Sequence, residues 1–179
     1  MKVVNTNWYV ITGGPCSGKT TVIDYLSFLG HKTVPEVARS IINAEVDKGK
    51  TIEEIRANDV EFQKNIFQIK IENENKLSPE KDIFIDGAVA CSIAHYQIVG
   101  LDPAPIIAEA KKRKYKKIFF LEPILFKKDY ARIEDEKMAE RIGQMHYKAY
   151  SNLGYNVIRV PVIPIKERIN FILNKIQLS

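Results

Sequence analysis

The sequence predicts an α/β fold in which a five-stranded parallel sheet is covered by helices on both faces. Two observations carry this expectation. Short apolar runs alternate with segments of helical periodicity along the whole chain, the pattern of repeated strand–helix–strand units. The first strand is also joined to the first helix by a glycine-rich loop, "GGPCSGKTT", with the spacing G-x-x-x-x-G-K-T from Gly13 to Thr20. A loop of that composition belongs at such a junction.

The first strand is Trp8 to Thr12. After the loop, Val22, Leu26 and Leu29 recur at helical spacing until Gly30 stops the helix. The second strand is short, "HKTVPE", and ends at Glu36; the helical segment behind it carries Ala38, Ile41 and Ile42 on one side. Thr51 and Glu54 form a T-x-x-E capping box, which predicts the start of one long helix. Its buried stripe is Ile55, Phe62, Ile66, Ile69 and Leu77, and Ser78-Pro79 ends it. "DIFIDG" is the third strand and delivers Asp86 at its carboxyl end. Ala88 to Val99 reads as a helix stopped by Gly100, and Asp102-Pro103 caps the next one. "KKIFFLEP" is the fourth strand. A helix with Met138, Ile142, Met145 and Ala149 on one face runs to Gly154. "NVIRVPV" is the fifth strand, and Ile165, Ile169, Ile172 and Ile176 mark the last amphipathic helix. There is no repeat, low-complexity tract or linker, so residues 1–179 are expected to form one domain.

Composition narrows the setting. No apolar run approaches the roughly 20 residues of a membrane span, and "MKVVNTNWYV" lacks the apolar stretch and cleavage site of a signal peptide. Cys16 and Cys91 resemble neither a disulfide framework nor a metal site, and Cys16 lies inside the glycine loop. A reducing cytoplasm is the expected compartment. The net charge is +5, yet "KKRKYKK", Lys111 to Lys117, holds six positive charges and without it the balance would be −1. A single basic run is a weak nucleic-acid footprint. It reads as a solvated helix end placed before the fourth strand, at the edge of the sheet opposite the glycine loop. His31, His95 and His146 show no ligand spacing and read as structural.

The loop carries the chemistry. Backbone N–H groups of Gly13, Gly14, Pro15's neighbours Cys16 and Ser17, Gly18, Lys19, Thr20 and Thr21 can wrap an anion at a helix N-terminus, whose dipole adds attraction. The chain is therefore expected to bind a nucleoside triphosphate. Ligands of open parallel sheets sit beyond the carboxyl ends of the strands. That rule selects the loop, Glu36, Asp86, Glu122 and the segment after Val160. A guanine-reading N-K-x-D motif is absent: Asn75-Lys76 and Asn174-Lys175 lack the aspartate. What remains is a small phosphoryl-transfer enzyme, in which lysine and Mg²⁺ neutralise the phosphate while a carboxylate orients the acceptor.

In these features the chain resembles the small P-loop kinase-like ATP-binding proteins, a NadR-like AAA-domain family related to nicotinamide riboside kinase and to deoxynucleoside kinases. The resemblance spans nearly the whole length. It rests on "GGPCSGKTT", "VPEVAR", "FIDGAVACSIAHYQIVG", "ARIEDEKMAERI" and "YSNLGYNVIRVPVIPIKERINFIL". It implies strand order 2-3-1-4-5 and an arginine-bearing helical lid after the fourth strand. It implies ATP and Mg²⁺ as ligands, with Lys19 on the β/γ-phosphates and Thr20 and Asp86 on the metal. Glu36 would take the proton of the acceptor hydroxyl, and Arg39, three residues on, would share its helix face. Gln63, beside Phe62, would contact the acceptor, Arg132 and Arg141 would close over the transferring phosphate, and Pro161 to Pro164 would lie against adenine.

Plainer readings stand beside these. Glu36 and Asp86 would also serve as helix caps, Arg132 and Arg141 as solvated charges, Phe62 as core and Gln63 as a surface residue. After the third-strand aspartate the family usually has arginine and glycine, and five residues beyond it another acid; here stand Gly87, Ala88 and Cys91. The leading expectation is a kinase that moves the γ-phosphate of ATP to a hydroxyl of a small, nucleoside-like molecule. The rewritten positions motivate a rival, a nucleotide-binding regulator or slow NTPase. The basic run motivates a second, a nucleic-acid-processing ATPase or end kinase. Oligomeric state is left open, a homodimer included.

Overall fold

The computed structural model describes residues 3–124 and 135–177. Five strands form the main sheet: β1 (Trp8–Thr12), β2 (Lys32–Val34), β3 (Ile83–Asp86), β4 (Lys117–Leu121) and β5 (Val157–Val160). They stand in the order β2-β3-β1-β4-β5, every pair parallel. β1 is central and buried at every residue, which is why it reads as an unbroken apolar run rather than an alternating one.

The pleat divides the core in two. Trp8 and Val10 join Ile83, Ile85, Ile118 and Phe120 on one face, whereas Tyr9 and Ile11 join Phe84, Phe119 and Leu121 on the other. Helices α1 (Lys19–Phe28) and α8 (Ile165–Gln177) cover the second face through Val22, Leu26, Ile169 and Ile172. The first face is covered by α5 (Ser92–Ile98), α6 (Ala104–Ala110) and α7 (Glu136–Asn152). A third cluster, Val37, Ile42, Phe62 and Ile66, joins α2 (Val37–Val46) to α4 (Asp59–Asn75).

One expected helix is two. The capping box forms, with Glu54 N–H donating to Thr51 Oγ1 at 3.2 Å and Thr51 N–H to Glu54 Oε2 at 2.8 Å. The helix it opens, α3, is only Ile52–Ile55. Asn58 then caps afresh, its Oδ1 accepting from Glu61 N–H at 3.1 Å, and Arg56 spans the break to Asp59 at 2.9 Å. A second N-cap within one turn of the first helix's end is the local reason for the break. The segment after β3 also differs from a plain helix: a 3₁₀ turn, Val89–Cys91, precedes α5.

The basic run before β4 is tied into the structure. Arg113–Lys114 pairs in parallel with Val4–Asn5, and Thr6 Oγ1 donates to the Lys114 carbonyl. Lys112 and Arg113 both bond Glu109, and Lys116 lies over the Tyr9 ring. The run stands at the start of β4, the sheet edge opposite the glycine loop. Among the described residues no helix is long and apolar enough to cross a membrane. The lid expected after β4 falls on residues 125–134, outside the described residues.

Candidate active site

The loop between β1 and α1 leaves no room for side chains where it lacks them. At Gly13, φ is +150° and an added Cβ would stand 2.7 Å from Ser17 Oγ and 2.8 Å from the Leu121 carbonyl. At Gly14 it would meet the Ala139 carbonyl at 2.5 Å. Cys16, half-buried, holds φ +60° in the left-handed region, which costs an L-residue about 1–2 kcal/mol. Left-handed backbone of this kind is a component of anion nests.

Three elements lock the loop from outside. Arg168 of α8 is buried and donates to the carbonyls of Ser17 (2.9 Å), Pro161 (3.1 Å) and Glu122 (3.4 Å). One guanidinium thereby ties the loop to the ends of β4 and β5. Gly143 of α7 packs on Gly14, where even a Cβ would come within 3.1 Å of the Gly14 nitrogen. One turn on, His146 is buried with Nδ1 3.1 Å from the Gly13 carbonyl. A carbonyl only accepts, so Nδ1 carries the hydrogen. Burial, then the neighbouring His95 and Lys19, push the His146 pKa well below the usual histidine value, so the ring is neutral.

Lys19 is buried at the start of α1, and its Nζ donates to the carbonyls of Gly14 (2.8 Å) and Gly13 (3.3 Å). It opens on a crevice of about 30 Å³ that Glu36, Lys70, Asp86 and Gly87 also line. An adjoining cavity of about 120 Å³ brings Thr20, Arg39 and Asn43 to the same two carboxylates, Glu36 and Asp86. Glu36 precedes α2 without capping it through its side chain; its carboxylate pairs with Arg39 at 3.9 Å. Asp86 is 2% exposed, and the Val89 N–H that it was a candidate to cap donates instead to Glu74 at 2.8 Å. Burial pushes the Glu74 carboxyl up, while Tyr115 hydroxyl (3.0 Å) and Arg113 (3.8 Å) favour its charge.

Beyond His95 and Ile142 the crevice meets a chamber of about 310 Å³, lined by Arg56, Asp59, Gln63, Asp135 and Met138. That is at the small end of ligand-pocket sizes. A larger cavity, about 770 Å³, lies on the far side of Gly14 and Pro15, where Arg159 stacks 4.5 Å from the Tyr147 ring and bonds Glu122 at 2.6 Å. It holds neither Lys19, Thr20, Glu36 nor Asp86, so the chemistry-bearing groups gather in the smaller spaces.

Among the expected site residues, the fold brings Lys19, Thr20, Glu36, Arg39 and Asp86 together, with Gln63 buried in the chamber wall. Thr21 is exposed on α1. Arg141 is exposed on α7 and lines none of these cavities, because its neighbours Ile142 and Gly143 take the inward positions. Arg132 lies outside the described residues. Lys70, Arg168 and Gly143 escaped the sequence reading, whereas His146 was read as structural and packs as such. The signal for Lys70 was available, since it stands four residues after Ile66 on the buried stripe.

A glycine loop between the central strand and its helix, in a parallel sheet of this order, defines a P-loop protein of kinase-like fold. The chain belongs to the AAA-domain family, which matches residues 8–168. Among solved structures it is similar to a NadR protein in complex with NAD and AMP-PNP (TM-score 0.70, 13% identity, 97% of this chain and 50% of that one). It is similar also to deoxyadenosine kinase from M. mycoides (TM-score 0.63, 13% identity, 96% and 98% of the two chains). Shikimate kinase from Aquifex aeolicus matches with TM-score 0.58 and 17% identity over 95% and 96% of the chains. The chain spans about half the length of the NadR structures it matches. None of the curated proteins matches it in sequence.

Proposed function

We propose that this chain, as one domain, is an ATP-dependent phosphotransferase that moves the γ-phosphate to a hydroxyl of a small, nucleoside-like acceptor. One observation carries the reading: the loop lysine and threonine open onto two carboxylates, Glu36 and Asp86, in adjoining cavities that meet a half-open chamber. The nucleotide fits this chain's residues because the loop is a cradle in which Cβ atoms at Gly13 and Gly14 would collide with their surroundings. Thr20 and Asp86 are hard oxygen donors of the kind that hold Mg²⁺ together with substrate phosphates, and adenine would lie against Pro161 to Pro164. Bound ATP and its metal supply the transferable phosphoryl group and part of its charge neutralisation.

The chain's own residues supply the rest. Lys19 leaves the carbonyls of Gly13 and Gly14 for the phosphate oxygens. Glu36 accepts the proton of the attacking hydroxyl, with Arg39 fixing its orientation. Gln63 orients the acceptor from the chamber wall. The chamber, lined from α4, α5 and α7, gives the acceptor a bounded place beside the crevice. The two thiols are free of disulfides, which suits a cytoplasmic protein.

The first test is binding. At about 100 times its dissociation constant, Mg²⁺–ATP should stabilise the fold by about 2.7 kcal/mol, a melting shift of roughly 5–11 °C for a chain of this size. Lys19→Ala should remove most of it. No shift with any triphosphate would defeat the reading. The second test is a panel of nucleosides and related metabolites scored for ATP-dependent phosphorylation. A thermal shift without transfer to any acceptor would instead support the regulator or slow NTPase.

A further inference from the structure

Lys70 is a buried charge that the proposed reaction has not yet used. It sits on α4, 8% exposed, in the wall of the crevice that Lys19, Glu36 and Asp86 share. Its Nζ makes one long hydrogen bond, 3.4 Å, to the Ala88 carbonyl. That nitrogen lies beside the turn at the end of β3, 3.7 Å from where a Cβ on Gly87 would stand. Taking an ammonium out of water is expensive, and buried charges are ordinarily paired or bound to a ligand. One neutral carbonyl at that distance offsets little of the cost.

One acid on the same helix feels the charge of Lys70, yet its polar contacts go elsewhere. Glu74 lies one turn along α4, but its carboxylate accepts from Val89 N–H and the Tyr115 hydroxyl, and its ion-pair contact is with Arg113. Among the described residues Lys70 and Glu74 form no ion pair. The helix rows place Gln63 and Lys70 seven residues apart on the inward face of α4. One residue faces the chamber and the other the floor of the crevice. Lys70 therefore stands in the phosphate crevice, two helical turns along α4 from a residue that lines the chamber.

We infer that Lys70 is a second phosphate-binding cation, gripping the terminal phosphoryl group from the acceptor side while Lys19 grips it from the loop side. This rests on the kinase reading. It deepens that reading by assigning the charge on the acceptor side to α4. Two fixed cations flanking the phosphoryl oxygens stabilise the charge that spreads over them during transfer. The diphosphate, which does not extend to that point, would not feel Lys70.

The test compares AMP-PNP with ADP by titration calorimetry, with Mg²⁺ present. Lys70→Gln removes the charge and keeps an N–H donor on a side chain one atom shorter. It should weaken AMP-PNP at least tenfold and leave ADP within threefold of wild type, and Lys70→Arg should hold the AMP-PNP loss to less than threefold. Equal losses for both nucleotides, or none for either, would overturn the inference and return Lys70 to a structural role near Glu74. If Lys70→Gln does not fold, the AMP-PNP to ADP ratio of Lys70→Arg against Lys70→Met decides by the same criterion. Wild-type protein that binds neither nucleotide would defeat the kinase reading itself, a distinct result.

Discussion

The two halves of the crevice are built by different means. The loop half is backbone: Gly13 and Gly14 pressed against the Ser17 side chain and the Leu121 and Ala139 carbonyls, and three carbonyls held by Arg168. The acceptor half is side chains drawn from separate helices, Arg39 from α2, Gln63 and Lys70 from α4, His95 from α5 and Met138 from α7. A backbone site tolerates almost no substitution and binds one kind of ligand. A side-chain site can be rewritten one residue at a time, so a phosphate cradle is retained while the acceptor changes.

The largest expected effect would divide the halves. Glu36→Gln keeps the shape but cannot accept a proton, and should lower transfer about 10²–10⁴-fold with nucleotide binding intact. Equal turnover would move the base role to Asp86. Next is the lock on the loop. Arg168→Met strands three carbonyls and should cost about 3 kcal/mol, a melting fall of roughly 6–12 °C. Arg168→Lys should not restore it, since one ammonium cannot reproduce the planar fork. A melting point unchanged in the methionine variant would mean that the loop holds itself.

A smaller effect is pH-dependent. His146 is neutral in the fold with its pKa depressed, so the unfolded chain binds a proton that the folded chain refuses. Stability from this residue is complete above the ordinary histidine pKa of about 6.5. It is lost as pH falls below that value, by up to about 1.4 kcal/mol per pH unit. His146→Gln should remove this slope, and urea titrations of wild type and variant that stay parallel from neutral to mildly acidic pH would contradict it. The smallest effect concerns the basic run: Lys111→Gln with Lys114→Gln, both exposed, should change turnover less than threefold. A salt-dependent loss, with DNA or RNA required, would replace the small-molecule reading.

The same contrast explains what the sequence disclosed. The strands, the sheet's parallel character and the loop were legible because each is written in contiguous residues: Trp8 to Thr12 as an apolar run, Gly13 to Thr20 as a fixed spacing. Strand order came from resemblance alone. Lys70 and Arg168 were hidden because charged residues read as solvent-facing, and only packing against the sheet and the loop reverses that. The single long helix expected from Thr51 failed because two N-cap signals, at Thr51 and Asn58, compete in the same stretch. Asp59 and Arg56, at that break, became part of the chamber wall.

The left-handed turn at Cys16 has a practical consequence. Of the protein's two thiols, Cys91 is buried, 3.3 Å from Thr12 Oγ1 and 3.4 Å from the Tyr150 hydroxyl. Cys16 is half-buried in the phosphate loop itself. A thiol-alkylating probe should therefore prefer Cys16, and a rate that falls when nucleotide is added would report that the cradle is filled. Occupancy can be followed by mass spectrometry on unmodified protein, before any acceptor is known.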